Sequence, residues 1–106
     1  MEKFKIAIAT DFNDALGGRS KSLGPYSGEA FYEEVLKNKF EEAISAGEKL
    51  HVYLDGTKGY GSSFLDQSFG ELFRKHGDKV KNNIEFHTRL FDWIVDYIKT
   101  DIWSRK

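Results

Sequence analysis

The chain has 106 residues, enough for one domain with its own core, and its 40% hydrophobic and 31% charged residues are the composition of an ordinary globular protein. The 16 basic and 17 acidic residues leave a net charge of −1, so no overall field draws the chain to nucleic acid or to an anionic membrane. With no cysteine, disulfides, zinc–thiolate sites, iron–sulfur clusters and thiol catalysis are excluded together.

The first residues alternate and reach Asp11 without the apolar block of a signal peptide, and no run approaches the length of a membrane span. The expected address is the cytoplasm, and the expected organisation is a single domain over residues 1–106. Phe4, Ile6 and Ile8 alternate with Lys5, Ala7 and Ala9, the period of a strand with one buried face. Residues 12–26 carry Asn13, Asp14, Gly17, Gly18, Gly24 and Pro25, a dense set of turn formers. This is a long loop with room for a short extra strand around Arg19 to Leu23.

Ser27 is a candidate N-cap, and Phe31, Val35, Leu36, Phe40, Ala43 and Ile44 recur at helical spacing until Ala46-Gly47. The outer face of this helix holds Glu33, Glu34, Lys37, Glu41 and Glu42 and is read as solvated. Leu50, Val52 and Leu54 alternate with His51, Tyr53 and Asp55 in a second strand, which ends in the breaker cluster 56–61. A second helix starts at Ser62-Ser63 and closes at His76-Gly77, with capping-box-like spacing from Ser63 to Asp66. Ile84 to His87 forms a third strand, and Leu90, Phe91, Ile94, Val95, Ile98 and Ile102 form the stripe of a last helix. Trp93 and Tyr97 flank that stripe and Trp103 projects from its other side, so the last helix reads either as an aromatic contact surface or as a lid on the core.

The order β-α-β-α-β-α is that of an α/β fold with parallel neighbours, and in such sheets sites gather at the carboxyl ends of the strands. That directs attention to residues 56–63. Gly56 and Gly61 have P-loop spacing, but Ser62 stands where the phosphate-reaching lysine belongs. Gly59-Tyr60-Gly61 opens like a dinucleotide fingerprint, yet Phe64 replaces the third glycine and no acid follows roughly twenty residues on. A nucleotide- or phosphate-binding loop, with Lys58 or Arg19 supplying charge, is therefore the alternative function and not the leading one. His51, His76 and His87 lack short mutual spacing and any His-Glu-x-x-His pattern, so a metal site would have to be assembled entirely by the fold. No metal, cofactor or catalytic residue is expected, and Gly61-Ser62-Ser63-Phe64 lacks a nucleophile elbow.

Two readings of the serine pair stand side by side. One serine caps the helix and contributes about 1 kcal/mol, or the pair is a site at which phosphorylation brings charge to a helix start. The stretch Leu50-His51-Val52-Tyr53-Leu54-Asp55-Gly56 with Gly61-Ser62-Ser63-Phe64-Leu65-Asp66 resembles the strand, loop and helix start of STAS domains, the anti-sigma factor antagonists. The chain is closer still to a bacterial STAS-like family of unknown function, through Ser27-Gly28-Glu29-Ala30-Phe31 and Ser62-Ser63-Phe64-Leu65-Asp66-Gln67-Ser68-Phe69-Gly70. It departs from these patterns at Gly61, where STAS domains place an acid, at Phe64, where they place glycine, and at Gln67, where the family places glutamate.

The resemblance implies a STAS-like sandwich with a mixed or mostly parallel sheet of three to five strands. It also implies a non-enzymatic regulatory module that binds a protein partner as a monomer or homodimer. That partner would be a GHKL-type ATPase/kinase. Ser63, or failing that Ser62, would be the phosphorylated switch, and Asp55, Lys58, Tyr60, Gly61 and Arg19 would meet or shape the partner surface.

Overall fold

The alternating start of the chain becomes β1 (Lys5–Ala7) in the computed structural model, which describes residues 3–104. The first two and last two residues of the single-domain expectation lie outside the described residues. Strand β1 is shorter than its pattern because the Asp11 carboxylate accepts the Ala7 amide at 2.8 Å, while the Ile8 carbonyl accepts the amides of Phe12 and Asn13. Ile8 thereby opens a single helical turn, α1 (Ile8–Asp11).

Residues 12–26 form no strand. Where the loop had room for a short extra strand, residues 19–23 instead hold a 3-10 turn at Lys21–Leu23, because the backbone polar groups there are used elsewhere. Gly17 donates to Tyr26, while the amides of Gly28 and Glu29 donate to the carbonyls of Gly18 and Arg19. The loop is thus laced onto the start of α2 (residues 28–45), which runs through a π-type turn at Tyr32–Leu36. The Ser27 hydroxyl accepts the Ala30 amide at 3.1 Å, the cap expected of it.

Strand β2 (Leu50–Tyr53) lies in the middle of the sheet, between β1 and β3 (Ile84–His87), and both pairings are parallel. The sheet is therefore three-stranded and wholly parallel among the described residues. Between β2 and β3 run α3 (residues 62–76), with a second π-type turn at Asp66–Gly70, and the short α4 (Asp78–Asn83). Gly77, at φ +64°, ends α3 and lets the chain restart at once as α4, where the sequence pattern indicated only a break. The chain closes with α5 (Asp92–Thr100) and a 3-10 turn at Ile102–Ser104. That turn carries Trp103 inward, the lid-on-the-core alternative: the indole is buried and donates to the Phe69 carbonyl at 3.1 Å. Among the described residues no helix is long and apolar enough to cross a membrane.

Among the described residues five helices pack on the sheet, whose inner face presents Ile6, Leu50, Val52, Leu54 and Ile84, all buried. The opposite face carries Lys5, Ala7, His51, Tyr53, Glu85 and His87, from half-buried to exposed, and neither Ala7 nor Tyr53 joins the core. Helices α2 and α3 approach closely at Gly28, where an added Cβ would lie 2.5 Å from the Phe64 carbonyl oxygen and 3.1 Å from the Gln67 side chain. The same approach stacks Phe31 on Phe64, with centroids 5.7 Å apart and planes at 26°.

Gly28→Ala is expected to keep its helical φ and ψ yet destabilise the protein by about 1–3 kcal/mol, since backbone must give way to the methyl group. Chemical denaturation of both proteins measures this, and equal midpoints would show that α2 and α3 can part without cost.

Candidate functional site

The carboxyl end of β2 is closed by Asp55. Its carboxylate accepts the Thr88 hydroxyl at 2.5 Å and the amides of Arg89 and Leu90 at 2.7 and 3.2 Å, fastening the loop after β2 to the loop after β3. The Thr88 hydrogen bond holds the carboxyl below its ordinary pKa against the opposing effect of partial burial, and the two amides add to it. Asp55 is thus spent inside the fold as a clamp between the two strand ends.

Residues 56–61 then turn toward α3. Gly56 has φ +100°, and a Cβ there would meet the Ala9 methyl at 2.8 Å, so this position takes only glycine without strain. The Lys58 side chain is exposed while its amide donates to Asp14 at 2.9 Å, which ties this loop to the one after α1. Tyr60 turns inward: its hydroxyl donates to the Leu54 carbonyl at 2.6 Å and its ring meets Phe91 edge-on at 5.2 Å. Burial pushes its phenol up to about 12, so it stays a neutral donor.

Gly61 occupies the N-cap position of α3 with extended backbone (φ −82°, ψ 150°) and open space around it. Ser62 and Ser63 follow inside the first turn, and both are exposed. Among the described residues neither hydroxyl has a hydrogen-bond partner, and no side chain caps this helix. The expected capping box therefore does not form. Asp66 turns away to the guanidinium groups of Arg19, at 2.6 Å, and Arg74, at 3.1 Å. Burial would raise the Asp66 pKa, but the hydrogen bonds from Arg19 and then Arg74 outweigh it and hold the carboxyl below its usual value. Arg19 accordingly sits against α3 on Asp66. Beside the serines, Tyr60, Ser62, Leu65, Trp93, Ile94 and Tyr97 line a shallow groove between α3 and α5, over which Trp93 stands 64% exposed.

The fold also joins two histidines that are 36 residues apart. Register sets His51 opposite Glu85 and Tyr53 opposite His87 on the open face of the sheet. His51 Nδ1 lies 2.8 Å from His87 Nε2, and the His87 ring lies flat on Tyr53, with centroids 4.5 Å apart and planes at 13°. Sequence reasoning did not single out this trio. The available signal was the period-two spacing of Glu85-Phe86-His87 and His51-Val52-Tyr53, which places each pair on one face of its strand. His76 is elsewhere, 3.7 Å from Glu41 and beside Phe40.

Because folding depresses the Asp55 pKa, its stabilising contribution is present above the unfolded carboxyl value of about 3.9 and is lost as the pH falls through the lower folded value. Asp55→Asn should cost on the order of 1 kcal/mol at neutral pH, and the gap to the parent should narrow below about pH 4. Urea titrations at neutral and acid pH test this, and a gap that is constant with pH would rule out a charged clamp.

No curated protein and no solved structure matches the chain. Residues 27–88, from the cap of α2 to the threonine that meets Asp55, match one family. They contain the α2–α3 contact, the Asp55–Thr88 hydrogen bond and the serine pair, and by this match the chain belongs to the family of STAS-like domains of unknown function (DUF4325).

Proposed function

We propose that the protein is a non-enzymatic, cytoplasmic regulatory module that binds a partner protein through residues 56–63 and the start of α3. Its switch is phosphorylation of Ser63, or failing that Ser62, by a GHKL-type ATPase/kinase, as in the anti-sigma factor antagonists that this segment resembles. The observation that carries this reading is the pair of exposed hydroxyls with no partner among the described residues, at a helix start that Gly61 caps only with backbone. Hydroxyls that do no structural work can be esterified without loss of a fold-stabilising bond.

A phosphoryl group there adds about −1.5 to −2 charges at neutral pH, beside the unsatisfied amides of the first helical turn. The folded state tolerates such a group, while a partner surface that fits the neutral serines does not. The groove that Ser62 shares with Trp93 and Tyr97 supplies the apolar part of the contact, and exposed Lys58 flanks the loop. Asp55 and Tyr60 act from beneath, by fixing the loop on which the serines ride.

The test is affinity purification of the full chain from its own host cells, with mass spectrometry of the co-purifying proteins and of the peptide holding Ser62 and Ser63. A GHKL-type ATPase together with phosphate on that peptide is expected. With the recovered partner, Ser63→Glu should weaken binding about tenfold, or ~1.4 kcal/mol, and leave the melting temperature near the parent's, while Ser63→Ala should bind like the parent and resist modification. An unmodified peptide with no ATPase, or equal affinities for both variants, would refute the switch.

A further inference from the structure

The open face of the sheet holds an arrangement unrelated to the serine loop. His51 Nδ1 and His87 Nε2 are 2.8 Å apart, and Glu85 Oε2 lies 3.7 Å from the first and 3.5 Å from the second. Two imidazole nitrogens and one carboxylate oxygen thus form a triangle on adjacent parallel strands, with all three atoms within 4.8 Å of one another. We propose that His51, Glu85 and His87 form a binding site for a first-row divalent transition metal of the zinc class.

Geometry supports this. Metal–nitrogen bonds of about 2.0–2.1 Å in a tetrahedral site separate the ligand atoms by about 3.3–3.4 Å, and an octahedral face separates them by about 3 Å. The edges of 2.8, 3.5 and 3.7 Å bracket both values, so opening the His51–His87 edge by a few tenths of an ångström seats an ion. Small rotations about the side-chain bonds suffice, because the strand register fixes the three Cα positions. The stack on Tyr53 restrains the plane of the His87 ring.

Donor chemistry narrows the ion. Two imidazoles and a carboxylate suit zinc and its neighbours, whereas calcium and magnesium require oxygen donors. Three protein ligands leave at least one coordination position open, and the partial exposure of all three side chains turns it toward solvent. Lys5, the register partner of His51 on β1, is exposed and can carry its ammonium away on its long stem.

The experiment uses the full chain, stripped of metal with a chelator and titrated with zinc, with magnesium as a parallel arm. The sequence holds three histidines, so imidazole NMR signals report on each separately. Zinc should shift the His51 and His87 ring signals at one equivalent per chain and leave His76 unmoved, while magnesium should shift neither pair member. By calorimetry or competition against a chromogenic chelator, His51→Ala and His87→Ala should each weaken zinc binding about tenfold or more, while His76→Ala should bind like the parent. Circular dichroism checks that each variant is folded, and the NMR arm needs no variant. Ring signals of His51 and His87 that stay in place under excess zinc, a shift centred on His76, or folded variants that bind like the parent would overturn the site and leave a hydrogen-bonded histidine pair.

Discussion

The close approach of α2 to α3 at Gly28 is the constraint on which the other contacts rest. Only a residue without a side chain allows the Phe64 carbonyl so near, and that approach stacks Phe31 on Phe64. It also fixes where α3 begins, and so where the loop after β2 must deliver the chain. The surrounding polar contacts secure the same junction: Ser27 caps α2, the loop at 17–19 laces onto its first amides, and Arg19 reaches across to Asp66 on α3. Gly70 repeats the device further along, where an added Cβ would meet Ile102 at 3.2 Å, Arg74 at 3.2 Å and its own Asp66 at 3.0 Å. The segments through which the chain resembles the family, residues 27–31 and 62–70, thus lie largely at a packing junction. A match to them speaks for the fold, and the chemistry has to be sought in the residues the junction leaves uncommitted.

Those residues divide by position. At the carboxyl edge of the sheet the ionisable groups are mostly consumed: Asp55 by Thr88 and two amides, Asp66 by two guanidinium groups, Tyr60 by a main-chain carbonyl. Among the described residues, what stays uncommitted there includes the two serine hydroxyls and the exposed Lys58 side chain. On the open face the polar groups instead face one another, and the concentration of imidazole and carboxylate is local although the chain as a whole is almost neutral.

Local period and punctuation made much of this legible. The alternation of Leu50, Val52 and Leu54, the third strand at Ile84–His87, the Ser27 cap and the stops at Gly47 and Gly77 all follow from rules that act within a few residues. What sequence concealed depends on distant partners or on competition for one group. Asp66 stands at capping-box spacing from Ser63, but two arginines offer it stronger, charge-assisted bonds, and the cap is abandoned. Trp103 lies beyond the last regular helix, and only the 3-10 turn there shows that its indole meets Phe69. The encounter of His51 with His87 needs the register of β2 and β3, which the spacing of residues along one strand does not encode. The π-type turns at Tyr32–Leu36 and Asp66–Gly70 are likewise silent in a 3.6-residue pattern, although Ser68, donating back to Phe64 at 2.8 Å, marks one of them.

The wholly parallel sheet has a consequence for how the chain must assemble. Lys5 pairs with His51 and His51 with Glu85, so among the described residues no ladder closes over fewer than 34 residues and no hairpin starts one. The entropy of closing such loops has to be offset by helix burial before strand hydrogen bonds reward it, which makes sheet completion a late event in folding. β2 is the strand most exposed to delay, since both its neighbours come from far away. Until Ile84–His87 has left the ribosome, one edge of the apolar segment Leu50-Val52-Leu54 has no partner and can recruit a strand from another chain. β3 therefore covers that edge of β2, and a chain truncated before residue 84 would leave it open.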